Sequence, residues 1–125
     1  MQSYGKARIT LGILSAALLI LSALAHAFLG WPAMSAALAE VGAGADLSGA
    51  LAVGWYFGSM AMLVFGLIVL GITIRRGDPR PVRFIALGYL AFGLTAWLTR
   101  DLSPHFLLFI VTGALLALFS FPKGR

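Results

Sequence analysis

The sequence predicts an all-α fold: a four-helix antiparallel transmembrane bundle with a short interfacial helix in the first outer loop. One integral membrane domain covers residues 1–125. Three observations predict this. Residues 47–74 carry no charge, a run long enough to cross a hydrocarbon core even when tilted. The 125-residue chain is 61% hydrophobic and 10% charged, with mean hydropathy +0.99, whereas soluble domains carry about 25% charged residues. A chain this short buries only part of its own surface, so lipid must solvate most of it. Finally, the basic residues gather at the ends of apolar runs, and basic-rich connections alternate with basic-poor ones along the chain.

Residues 1–8 form a polar lead with Lys6 and Arg8, and the first apolar run predicts a span over about 9–28. A competing reading is a cleaved signal peptide with a small-x-small site at Ala23-Leu24-Ala25. Retention is the expectation, because apolar character continues through Ala27, Phe28 and Leu29. Arg8, Gly12, Ser15, Leu19, Ser22 and His26 share one face of this helix. It is the least lipophilic stripe and is predicted to face the bundle. Ser15 and Ser22 can bond back to the preceding turn or reach a neighbouring helix.

Pro32 is placed like a helix start and Gly42 like a helix stop. The interfacial helix is therefore predicted over about 32–41, with Trp31 at headgroup depth. The second span, over about 49–74, organises the rest. Ala50, Gly54 and Gly58 recur every four residues, with Gly66 two turns further on. This face is nearly free of side chains, and other helices are expected to lie against it. Self-association is its alternative use.

Residues 75–83 hold Arg75, Arg76, Arg80 and Arg83 with two prolines and a glycine, which break the helix. The third span is predicted over about 83–99 and the fourth over about 104–121. Between them lies a polar turn with Arg100 and Asp101, in which Ser103 caps the last helix and Pro104 takes its first position. Pro122 stops that helix ahead of Lys123 and Arg125. Lys6, Arg8, the four arginines of 75–83, Lys123 and Arg125 then share one side. Arg100 lies opposite with Glu40, Asp46 and Asp101. The positive-inside rule places both termini in the cytoplasm of a multi-pass inner-membrane protein.

No cysteine occurs, which excludes disulfides, thiol chemistry and iron–sulfur ligation. The net charge of +5 comes from cations at the ends of apolar runs, so they meet lipid headgroups rather than nucleic acid. No phosphate loop, HExxH or nucleophile elbow is present, and no enzymatic activity is expected. No carboxylate lies inside a span, although a proton-coupled exporter needs one there. That weighs against a dimeric small transporter.

Both histidines fall on the outer side: His26 ends the first helix and His105 begins the fourth. Tyr56, Arg100 and Asp101 belong to the same leaflet. These residues outline an outer-leaflet site in which His26 and His105 hold haem b, a quinone or a lipid. The plainer reading makes them interfacial histidines bonded to backbone and water. Two histidines with no third ligand are a poor metal signature, so no metal site is expected. The leading expectation is a non-enzymatic protein that works by packing against partner membrane subunits or a second copy.

The strings Ala25-His26-Ala27-Phe28-Leu29-Gly30, Gly54-Trp55-Tyr56-Phe57-Gly58-Ser59 and Ser103-Pro104-His105-Phe106 resemble a loose set of uncharacterised bacterial inner-membrane proteins with four spans. The resemblance implies a fold and a bacterial inner-membrane setting, with no activity attached.

Overall fold

Long apolar runs can satisfy their backbone groups only against themselves, and the helix does this within one segment. The computed structural model describes residues 5–121 and is helical from Lys6 to Ser120 except at three connections. Pro122, Lys123 and Arg125, read as the final stop and its cations, lie outside the described residues.

The first helix is longer than its sequence suggests. Helix α1 (Lys6–Ala25) passes through a π turn (His26–Gly30) into α2 (Trp31–Glu40) without a break, 35 residues in all. The sequence reads Pro32 as the start of a separate helix, yet the structure carries the helix through it. A proline removes one N–H and crowds the carbonyl four residues back. The wider π register, in which the Trp31 N–H reaches the His26 carbonyl, falls just ahead of that position. Gly42 ends the helix in the left-handed conformation (φ 71°), where the Ala43 N–H reaches back to the Leu38 carbonyl at 2.9 Å.

Helix α3 (Ala45–Ile74) has 30 residues and α4 (Val82–Thr99) has 18. A single 3-10 turn (Pro104–Phe106) leads into α5 (Leu107–Ser120). The segments Lys6–Glu40, Ala45–Ile74 and Val82–Thr99 are each long and apolar enough to cross a membrane, while Pro104–Ser120 is shorter.

Two close pairs build the molecule. In the first, α3 lies on α1: Gly12 abuts Thr73, Gly66 abuts Ala16 and Ile20, and Gly30 abuts Trp55. A Cβ at Gly66 would sit 3.2 Å from the Ala16 carbonyl oxygen. In the second, α4 lies on α5. A Cβ at Gly93 would sit 2.9 Å from the Ile110 nitrogen, and one at Gly113 2.9 Å from the Leu90 nitrogen. The pairs join where Phe119 of α5 meets Gly12 of α1. Helices α1 and α5 therefore hold the middle, flanked by α3 and α4, which share no packed interface.

The sequence puts residues 47–74 at the centre; in the structure that helix is a flank. Its buried stripe is Ser59, Met62, Gly66, Val69 and Thr73. Gly66 alone belongs to both this stripe and the predicted small-residue face. Helix α1 does bury the predicted Gly12, Ser15 and Leu19.

At the end where the arginines collect, two of them cap α5. Arg8 Nε donates to the Phe119 carbonyl at 2.9 Å, and Arg83 Nε to the Ser120 carbonyl at 3.3 Å. The last carbonyls of a helix have no partner inside it, so these two arginines satisfy groups that α5 cannot.

Candidate ligand cleft and vestibule

His26 is the best-held polar side chain away from that end. Its carbonyl accepts from the Trp55 indole Nε1 at 2.7 Å. Its ring lies flat on Trp55, with centroids 4.1 Å apart and an interplanar angle of 0°. Gly30 makes room for the indole: a Cβ there would lie 2.8 Å from it. Across α3, a Cβ at Gly58 would be 4.0 Å from His26 Nε2. The missing side chain leaves that nitrogen uncovered, and neither ring nitrogen has a hydrogen-bond partner among the described residues.

Two cavities meet at this ring. The larger, about 990 Å³, is a vestibule lined by both polar and apolar groups. One wall is His26, Gly30, Met34 and Trp55; the other is the outer turn, with Thr99, Arg100, Asp101, Ser103 and His105. The turn is tight. Asp101 (φ 51°) and Leu102 (φ 55°) are both left-handed, and the Leu102 N–H reaches the Trp97 carbonyl at 3.0 Å. Asp tolerates that conformation, whereas Leu is strained in it. Ser103, read from sequence as a helix cap, makes no capping bond; its hydroxyl lies 2.8 Å from His105 Nδ1. A short imidazole–hydroxyl contact fixes that ring and withdraws the hydroxyl from the helix end. Arg100 makes no ion pair among the described residues.

The smaller cavity, about 470 Å³, is the cleft between α3 and α4. Gly58, Met62 and Phe65 line one side, Phe84, Gly88, Tyr89 and Phe92 the other, and Phe109 the back. His26, Phe92 and Phe109 belong to both cavities. Tyr89 is buried, and its hydroxyl, itself without accessible surface, has no hydrogen-bond partner among the described residues.

Of the residues singled out by sequence, His26, Arg100, Asp101 and His105 line one vestibule. Tyr56 does not; it is half exposed, with its ring tilted against Trp31 at 6.1 Å. Gly58 lines the cleft, while Ala50 and Gly54 are exposed and nothing lies within 4 Å of a Cβ at Gly54. Among the described residues no group of three or more His, Asp or Glu gathers to hold a metal. Sequence reasoning missed Trp55 as the support of His26, and it missed Tyr89. A signal for Tyr89 existed: a tyrosine in mid-run, away from the ends where belt aromatics sit.

Fold and cavities together define a chain whose described residues are helical, with three segments able to cross a membrane and a mixed polar and apolar vestibule that shares His26, Phe92 and Phe109 with an apolar cleft. No protein-family model matches the chain, and no curated protein and no solved structure matches it either.

Proposed function

We propose that the protein is a small multi-pass membrane protein that binds a membrane amphiphile without chemical conversion. Its four helices cross a bacterial inner membrane antiparallel, with both termini cytoplasmic. The order of contacts along α1 and α3 supports the antiparallel arrangement. Lys6, Arg8 and the arginines of 75–83, set against Arg100 alone, support the orientation. Helix α2 then runs toward the outer surface, where Trp31 sits in the aromatic belt.

The observation that carries the function is the meeting of vestibule and cleft at His26. An amphiphile has one end that needs polar partners and one that needs none. Arg100, His105 and Asp101 supply the first environment, and the cleft supplies the second. Gly88 lines the cleft and nothing lies within 4 Å of its Cβ position. Gly88→Leu fills the cleft without disturbing a packed contact. Gly71→Leu, at an equally open position outside the cleft, is its control. Native mass spectrometry of the detergent-purified chain should find one amphiphile retained by the parent and by Gly71→Leu and lost from Gly88→Leu. Equal retention by all three sinks the reading. A Soret band lost in His26→Ala would redirect the site to haem b.

A second reading, packing against a partner subunit or a second copy, draws on the open face at Ala50 and Gly54. The chain has no cysteine, so Gly54→Cys offers a single crosslinking site. Disulfide-linked dimers from Gly54→Cys and none from Gly71→Cys favour that reading.

A further inference from the structure

We propose that the vestibule holds the headgroup of an aminophospholipid, with its phosphate against Arg100 and His105 and its primary ammonium against Asp101. This rests on the amphiphile-binding reading and names its ligand. The polar groups of the chamber divide into spent and unspent ones. Thr99 Oγ1 donates to the Thr95 carbonyl at 2.8 Å, the Trp55 indole donates to the His26 carbonyl, and the Ser103 hydroxyl sits against His105 Nδ1. The Arg100 guanidinium, the Asp101 carboxylate and His105 Nε2 have no partner among the described residues. Arg100 and Asp101 are neighbours in sequence and line one chamber, yet they form no ion pair with each other. A cation and an anion left open side by side are complementary to a ligand that carries both charges.

Depth and charge select the ligand. Arg100 follows the 18 residues of α4, about 27 Å along the helix axis, against about 30 Å of hydrocarbon. In the orientation proposed above, the outer turn stands at the far edge of the hydrocarbon core. An unpaired guanidinium there needs an anion, and lipid phosphates are the anions a bilayer offers at that level. The guanidinium fork matches two phosphate oxygens. With the Ser103 hydroxyl donating to Nδ1, the His105 ring carries its proton on Nε2 and donates from there. Apart from Arg100 and Asp101, no residue lining the chamber carries a full charge. A zwitterion therefore leaves the chamber neutral, whereas a net anionic lipid brings uncompensated charge beside Asp101. A carboxylate accepts N–H bonds from a primary ammonium, and a trimethylammonium has none to give. The latter favours aromatic faces, and His26 already covers one face of Trp55. Met34 and Phe106 offer apolar wall to the chains, and Phe92 and Phe109 continue it into the cleft, which no charged residue lines.

The test offers the full detergent-purified chain an equal mixture of phosphatidylethanolamine, phosphatidylcholine and phosphatidylglycerol with identical acyl chains, read by native mass spectrometry. One phosphatidylethanolamine per chain is expected, preferred about tenfold over the other two, the worth of one charge-assisted hydrogen bond. Asp101→Asn keeps a residue that tolerates the left-handed backbone (φ 51°). It should erase the preference for ethanolamine over choline while a lipid is still retained. Arg100→Gln should weaken all three lipids alike, because all carry the phosphate. These changes in selectivity are read within one folded sample, so a loss of stability does not imitate them. Equal retention of the three lipids by the parent chain, or an ethanolamine preference that survives in Asp101→Asn, overturns the assignment and leaves the broader reading intact. Water-soluble glycerophosphoethanolamine should fail to displace the lipid; displacement at equal concentration overturns the lipid as the source of the headgroup. If the parent chain retains none of the three, the broader reading fails with it.

Discussion

The two helix pairs are built alike and sized differently. The first joins a 35-residue helix to a 30-residue one; the second joins 18 residues to the 14 of α5 and its 3-10 start. At about 1.5 Å per residue, the long pair spans roughly 45–52 Å and the short pair about 27 Å. Their ends are level where Arg8 and Arg83 cap α5. All the excess length therefore falls at the opposite end, where the long pair stands above the outer turn. The vestibule is the step between them. Its walls come from the upper part of the long pair and from the turn that closes the short one. A bundle of four equal helices would have no such chamber.

The pairs also differ in how closely their backbones meet, and substitutions can probe this. The largest effect is expected at Gly113. A Cβ there would meet the Leu90 nitrogen at 2.9 Å, and backbone does not yield. Gly113→Ala should cost about 1–3 kcal/mol, the usual penalty of overpacking, measured by thermal or denaturant unfolding in detergent. Gly66→Ala in the long pair should cost less, because the nearest backbone atoms there, the Ala16 carbonyl oxygen and the Ile20 nitrogen, lie at 3.2 Å. Equal costs would mean that the pairs do not differ in rigidity.

The turn that closes the short pair comes next. Leu102→Gly relieves a left-handed leucine and should stabilise the chain by about 1 kcal/mol. No gain would indicate that the turn relaxes at no cost. Trp55→Phe keeps a ring beside His26 but removes the bond to its carbonyl. It should cost about 1 kcal/mol and weaken amphiphile binding, seen as faster loss of ligand in native mass spectrometry.

The smallest effect lies in the connection between the pairs. The Arg80 backbone N–H donates to the Asp78 carboxylate at 3.0 Å, and the Arg80 guanidinium approaches it at 2.8 Å. Both hold the Asp78 pKa below its ordinary value. A carboxyl with a lowered folded pKa stabilises above its unfolded pKa of about 3.9, and that contribution disappears as pH falls through the lower folded value. An NMR titration of Asp78 should show the depressed midpoint, and Asp78→Asn should restore pH independence below about pH 4 with little change near neutrality.

Part of this architecture can be read from the chain alone. Helical class and lengths able to cross a membrane follow from runs of apolar residues. The polar outer turn follows from Arg100, Asp101 and Pro104, and the gathering of His26 and His105 near it follows from counting spans. The choice of faces does not. Helix α3 is apolar on nearly every side, so periodicity gives no reason to bury Ser59, Met62 and Val69 rather than Ala50, Gly54 and Gly58. Pro32 misleads for another reason: its remedy, a π turn, has no residue signature of its own.

Hydropathy along the chain determined that these segments are helices suited to lipid and which ends carry the cations, because each of those properties belongs to a single segment. Which helix sits beside which was decided only in three dimensions. Close approach at Gly12, Gly66, Gly93 and Gly113 depends on the partner as much as on the glycine. The cleft holding Tyr89 exists because α3 and α4 found better neighbours than each other.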